Sequence, residues 1–404
     1  MTRILVRWSV VVILIAHGLL HLLGAAKGLA WAPVATLTEP IEPALGVVWL
    51  AAAIALVAAG ALFAARARMW WVAGIAGLVI SQAVILTSWS DAREGTLANV
   101  VLLVALGYEL AAQGPGSYRA EYRRRVVTAL RASVPGAGPV VTEADLARLP
   151  APVAEHVRRS GAVGQPRVSS LRATIHGRIR ASATSRWMTY SGEQVNTYGP
   201  TPSRLFWMDA TMFGLPVDVL HVFVGESATM RVRLCSALRM VNAAGPEMDR
   251  AETVTLFNDL CILAPAALVD APIAWQEIDD THVRGVFTNG EQTVSADLTF
   301  RDGDLVDFHS DDRMSTSPDG STFTPQPWST PVSDYRVFGA RRLATHGEGR
   351  WHAAAPQGEF AYLEYNLDAI TYNAVTGIDT GTAGVAETDR QERVRPSAGA
   401  DHRL

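Results

Sequence analysis

The stretch AETVTLFNDLCILAPAALV (251–269) decides how this chain is read. Its spacing predicts a helix that is apolar on nearly all sides after Asp259, and a helix apolar all round is buried instead of lying on a surface. On both sides of it hydropathy alternates with the period of a strand. Strand-like runs fall at 171–180, 185–190, 204–210, 217–224, 228–234, 282–288, 292–300, 304–310, 332–345 and 358–366. Asn289-Gly290, Asp302-Gly303 and Pro318-Asp319-Gly320 mark turns, and 281–311 reads as a three-stranded meander. Many antiparallel strands and one buried helix predict an α+β domain over 167–374, a curved sheet forming an open half-barrel around the helix. Its concave face needs apolar filling, supplied by the helix alone or by the helix and a hydrophobic ligand.

Toward the N-terminus the pattern becomes helical. The linker region 114–166 holds LPAPVAEHVRRSG (149–161), an amphipathic turn, and VTEADLARL, a short helix with Thr142 as N-cap and Asp145 as its capping-box partner. VPGAGPV (134–140) breaks the chain before them. Ser117–Ser133 is a basic helix with Tyr118, Tyr122, Val126, Val127 and Leu130 as an apolar stripe. Lying on a membrane surface, its Arg119, Arg123, Arg124 and Arg125 would meet anionic lipid head groups and its tyrosines would anchor at the interface.

Charge thins out further upstream. Residues 1–113 carry 11 charged side chains, roughly one in ten, against 63 in the remaining 291 residues. Four apolar stretches, about 8–27, 44–64, 70–89 and 95–113, each approach the ~20 residues that a bilayer core requires. His17 and His21 interrupt the first, which favours an uncleaved helix over a signal peptide. Arg3, Arg7, Arg66, Arg68, Arg119, Arg123, Arg124, Arg125 and Arg131 fall on one side of the membrane, Lys27 and Arg93 on the other. That asymmetry predicts a multi-pass membrane protein with both termini cytoplasmic. By helical rise, His21, Gln82 and Asn99 lie about 4–7 Å outward of their span midpoints, and His17 shares a face with His21. This polar level either glues the helices by hydrogen bonds or forms a small site for a quinone or a metal.

HGLLHLLGAAKGLA (17–30), GVVWL (46–50) and SQAVILTSWSDAREGTLANVVLL (81–103) resemble the four-helix membrane region of bacterial DoxX-like proteins. That resemblance implies a link to redox-related membrane complexes and assigns no residue a catalytic role. LPAPVAEHVRRSGAVGQP (149–166), SRLFWMDA (203–210), TVTLFNDLCILAPAALVDAPIAWQEID (253–279), FHSDDR (308–313), PWSTPVSDYRVFG (327–339) and GRWHAAAPQGEFAYLEYNLDAITYN (349–373) resemble an uncharacterised bacterial domain family. Within that group the soluble domain follows the membrane region. The strand pattern is also similar in outline to lipoprotein-carrier half-barrels, although a cytoplasmic placement conflicts with a periplasmic carrier role.

Chemistry is sparsely signalled. The part after the membrane segment is net acidic, with 29 basic and 34 acidic residues, which argues against a nucleic-acid partner. Lys27 is the single lysine beside 34 arginines, a mark of a GC-rich genome. Cys235 and Cys261 make neither a disulfide framework nor a metal-ligand spacing. Walker, G-x-G-x-x-G, HExxH and G-x-S-x-G motifs are missing, and Gly225–Thr229 lacks the final glycine of the last. Asn258 and Asp259 are the candidate acid–base pair, with Asp259 at the start of the apolar helix or bonded to Arg313 or Arg336. Asp311, Asp312 and Arg313 read as a strand end, and His221, His309, His346 and His352 as isolated structural histidines. Trp207, Trp275 and Trp328 are candidate ligand-lining residues, with Trp187 and Trp351 in the core or at its rim. The leading expectation is a bacterial inner-membrane protein with four spans whose cytoplasmic β-rich domain binds a lipid-like or other hydrophobic ligand, with no cofactor or metal. Its rivals are a redox component using the intramembrane polar level and a non-catalytic scaffold. The small, polar residues 375–404 predict a disordered tail.

Overall fold

The structure, a computed structural model, describes residues 2–67, 69–133 and 139–373, without the side chains of residues 2–6. Arg68, residues 134–138 of the linker break and the 375–404 tail lie outside the described residues.

The N-terminal region is α1 (Thr2–Gly28), α2 (Pro43–Ala64), α3 (Trp70–Thr87), the single turn α4 (Trp89–Ala92) and α5 (Gly95–Gln113). Four of these helices are long and apolar enough to cross a membrane. Pro43 begins α2 at its first turn, where a missing N–H leaves nothing unpaired. The α1–α2 crossing is close: a Cβ at Gly28 would sit 2.6 Å from the Cα of Gly46. Small residues at such a contact let two backbones approach and gain dispersion energy.

The linker contains α6 (Tyr118–Ala132), α7 (Glu143–Leu146) and α8 (Ala151–Arg159). Ser117 caps α6, and the Thr142–Asp145 capping box closes α7 reciprocally.

The remaining chain is one antiparallel system. Its strands are β1 (Ser170–Ile179), β2 (Met188–Thr197), β3 (Ser203–Met212), β4 (Leu215–Val224), β5 (Ser227–Leu234) and β6 (Leu238–Ala244). The helix α9 (Pro246–Leu263) and a 3-10 turn at Pro265–Val269 follow. Then come β7 (Ile273–Glu277), β8 (His282–Asn289), β9 (Gln292–Arg301), β10 (Asp304–Ser310), β11 (Met314–Thr316) and β12 (Phe323–Pro325). Last are β13 (Trp328–Ser329), β14 (Val332–Phe338), β15 (Arg341–His352) and β16 (Glu359–Tyr372). The sheet runs β6-β5-β4-β3-β2-β1-β16-β15-β13-β10-β9-β8-β7, with β14 also on β15 and β11–β12 as a separate hairpin. It curves into a half-barrel around α9, whose residues Ala251–Leu263 are all buried.

Several boundaries differ from the sequence reading. The helix begins at Pro246, ahead of Ala251, and breaks at Pro265, whose ring clashes with the preceding turn, so 265–269 is 3-10 instead of α. Asp259 consequently lies in the second half of α9, not at its start. The run 332–345 is two strands turning at Gly339, which has φ +60°. Residues 191–197 extend β2 and 238–244 form β6, both missed because polar residues interrupt the alternation. Residues 273–277 form β7, and β16 runs past 366 to Tyr372.

Candidate functional site

Strand β3 organises the site because pleating sends its side chains to both faces. Arg204, Phe206, Met208, Ala210 and Met212 point to the concave side, where they line a cavity of about 540 Å³ beneath α9. Leu205 and Trp207 point to the convex side and pack under α6 with Val195, Leu220 and Val222. The RLFWM run (204–208) is therefore apolar on both faces, the mark of a strand covered on both sides.

Aliphatic, aromatic and thioether groups make the cavity wall. Met188, Met208, Met212, Met230, Met240, Met248 and Met314 all line it. These are all the methionines of the chain except Met1 and Met69. Unbranched thioethers fill irregular space and adapt to varied apolar surfaces.

Toward α9 the cavity becomes charged. Asp259 Oδ2 accepts from Gln194 Nε2 at 2.7 Å, Asn196 Nδ2 at 3.0 Å and Arg204 Nε at 2.7 Å. Arg204 Nη1 also donates to Glu252 Oε2 at 3.1 Å. Arg313 Nη1 donates to the Ala251 carbonyl at 2.9 Å and lies 3.6 Å from Glu252 Oε1, and His221 Nδ1 is 3.8 Å from the same oxygen. Two guanidiniums against two carboxylates leave this floor neutral. Burial disfavours the charge of Glu252, but Arg204, His221 and Arg313 outweigh it and hold the carboxyl below its usual range. Burial likewise opposes the Arg204 charge and is outweighed by Asp259 and Glu252, so its affinity for the proton rises. His221 is held neutral by burial, its pKa brought down to about 4 against the pull of Glu252. Three donors on one oxygen suit Asp259 as a fixed counter-ion of Arg204 more than as a free base. Its partner is Arg204 and neither Arg313 nor Arg336.

Six polar atoms of the cavity-lining residues find no hydrogen-bond partner among the described residues. They are His221 Nδ1, Asn258 Oδ1, Arg313 Nε, Trp328 Nε1, Thr330 Oγ1 and Tyr365 OH. Unpaired buried groups are rare in folded proteins because each forfeits about 1–3 kcal/mol of solvation.

Of the expected ligand-lining tryptophans, Trp328 faces the cavity, as does Trp351. Trp207 does not: it lies on the convex face under Arg119, 5.1 Å from ring to guanidinium. Trp275 packs tilted against Phe257, the ring centroids 6.3 Å apart, outside the cavity lining. Arg204, Glu252 and the methionines were missed, although the i, i+2 apolar run after Arg204 carried the signal. His309 and His352 are not isolated, their rings being 5.2 Å apart.

The basic helix also sits differently from the expectation. Tyr118 and Tyr122 are buried against the sheet and not at a lipid interface, because the convex face offers them a larger apolar surface. Arg124 donates to the Pro115 carbonyl, Arg125 pairs with Glu121 at 2.8 Å, and Arg123 is exposed.

In the N-terminal helices His17 Nε2 lies 3.1 Å from both Ser81 Oγ and Asn99 Oδ1. Asn99 donates to Gln82 at 3.0 Å, and Gln82 to Thr96 at 3.3 Å. His21 Nδ1 bonds the His17 carbonyl at 3.0 Å. Among the described residues no three His, Cys, Asp or Glu side chains form a metal-holding group.

An outer-membrane lipoprotein-sorting protein domain from Vibrio parahaemolyticus is 12% identical, with a TM-score of 0.30, over 52% of this chain and 88% of that one. A DUF1329 family protein from Desulfovibrio piger is 12% identical, with a TM-score of 0.33, over 58% of this chain and 94% of that one. No curated protein matches the chain. The profile of a family of unknown function matches residues 139–365, from the end of the linker break to β16, and by that match the chain belongs to the family DUF6544.

Proposed function

We propose that this protein is a multi-pass inner-membrane protein whose cytoplasmic half-barrel holds a single-chain, lipid-like amphiphile. The observation that carries the reading is the cavity itself, a methionine-rich wall around a space of about 540 Å³ with a charged floor. Ligand pockets run ~300–1,000 Å³, and at ~30 Å³ per non-hydrogen atom, the share of one water, this one takes on the order of twenty such atoms. That suits one acyl or isoprenoid chain with its head. The placement in the inner membrane is supported by the four apolar helices, the arginine asymmetry and the DoxX-like resemblance. In the helices His17, Ser81, Gln82 and Asn99 bond one another, which favours interhelical cohesion over a quinone or metal site.

The test is mass spectrometry of small molecules released from the full chain purified in detergent, beside Val219→Trp, which fills the cavity from β4. The expected result is a stoichiometric amphiphile in the native chain, lost in the variant. A native chain that carries none and does not bind a fluorescent fatty acid overturns the reading.

A further inference from the structure

Two neighbouring hairpin tips of the sheet expose apolar side chains where solvated turns usually carry polar ones. At the β3–β4 tip Phe213 is 78% exposed and Leu215 47%, and at the β5–β6 tip Leu238 is 63% exposed and Met240 46%. Phe213 is also held at φ +51°, the left-handed region that a bulky residue occupies at a cost and that asparagine or glycine would fill without strain. Exposure and strain both work against Phe213 in water, so its presence needs a reason beyond folding.

The tips adjoin the open end of the cavity, since Met212 and Met240 line it and flank them in sequence. They also lie at the end of the sheet nearest the last apolar helix. Arg233, beside the β5–β6 tip, donates to the Gly116 carbonyl at 3.3 Å and stacks 4.1 Å over Tyr118. Gly116 follows Gln113, the end of α5, by three residues. Arg239 and Arg124 add exposed positive charge on this side.

We infer that the two tips are a lip that dips into the adjacent leaflet of the bilayer and passes the amphiphile between leaflet and cavity; this rests on the ligand reading above. A lipid leaflet is the occupant that satisfies each feature at once. It takes apolar tips to a depth of ~5–10 Å, attracts the surrounding arginines through anionic head groups, and already meets the chain at α5.

The experiment uses the full chain with Cys235→Ser, reconstituted in phosphatidylethanolamine–phosphatidylglycerol vesicles with brominated acyl chains. An environment-sensitive fluorophore is placed at Phe213→Cys or at Val224→Cys, an apolar position 42% exposed at the opposite end of the sheet. Bromine should quench the probe at 213 about twofold more than at 224. Equal quenching at the two positions overturns the inference. In a second arm, Phe213→Asp/Leu238→Asp should slow uptake of a fluorescent fatty acid from vesicles about tenfold, the loss of two inserted side chains, while uptake from dilute aqueous solution stays unchanged. Unchanged uptake from vesicles also overturns it. Quenching at 213 in a chain that takes up no fatty acid would keep the lip as a membrane contact and remove the cavity reading. Uptake without quenching would do the reverse.

Discussion

His221 lies beside Glu252 of α9, Arg204 of β3 and Arg313 of the segment after β10; burial lowers its proton affinity most, Glu252 opposes that, and the two guanidiniums add to it. Its folded pKa of about 4 lies below the ordinary value near 6.5, so as pH falls the unfolded chain takes up the proton first. The stability of the neutral form is complete above pH 6.5 and is lost as pH falls toward 4, by up to about 3 kcal/mol. Glu252, held below its usual range, adds its own loss only at lower pH. His221→Gln should therefore flatten the fall in melting temperature of the detergent-solubilised chain between pH 6.5 and pH 4. A variant that melts with the native pH profile would show that another group governs this window. The sequence offered His221 as an isolated histidine because its three charged neighbours are 17, 31 and 92 residues away. Asp259 was legible as the polar exception on an apolar helix, but its partner Arg204 lies 55 residues upstream and became adjacent through the sheet.

At the scale of elements, β1 and β16 form the seam joining the β6–β1 half of the sheet to the β16–β7 half. Gly177 on β1 faces Tyr365, and a Cβ there would stand 1.9 Å from the Glu364 carbonyl oxygen. Backbone cannot yield as a flexible side chain does. Gly177→Ala should lower stability by about 1–3 kcal/mol and expose the seam to limited proteolysis, read as a lower melting temperature and faster cleavage between β15 and β16. The alternation of hydropathy made most strands legible. It failed where polar residues interrupt the pattern, as in 191–197. There Gln194 and Asn196 face inward to bond Asp259, so the polar residues are on the core side. A buried hydrogen-bond network mimics a loop in sequence.

At the scale of the whole molecule, α6 ties the two regions together. Its tyrosines and Val126 cover the convex patch of Val195, Leu205, Trp207, Leu220 and Val222, and Glu121 pairs with Arg231 at 2.7 Å. A fragment starting at residue 139 would leave that patch in water, whereas one starting at 117 keeps it covered. The 117–373 fragment should remain monomeric and melt higher, and the 139–373 fragment should associate, as light scattering and thermal melting would show. Equal behaviour of the two would mean that α6 contributes nothing to the sheet. Since β2–β5 carry α6 on one face and cavity wall on the other, the helix that leaves the apolar region stands one sheet thickness from the cavity.

Composition and periodicity by themselves determined the apolar character and length of the four N-terminal helices, the antiparallel sheet and the buried α9. Each depends on the burial pattern of a local run, which the sequence carries in its own order. Only the tertiary structure decided which face of β3 meets the cavity, that Trp207 belongs to α6 and not to the cavity wall, and that Arg204, Glu252, Asp259 and Arg313 share one floor. Those outcomes depend on strand register and sheet curvature, and a sheet pairs residues whose separation along the chain no local pattern records.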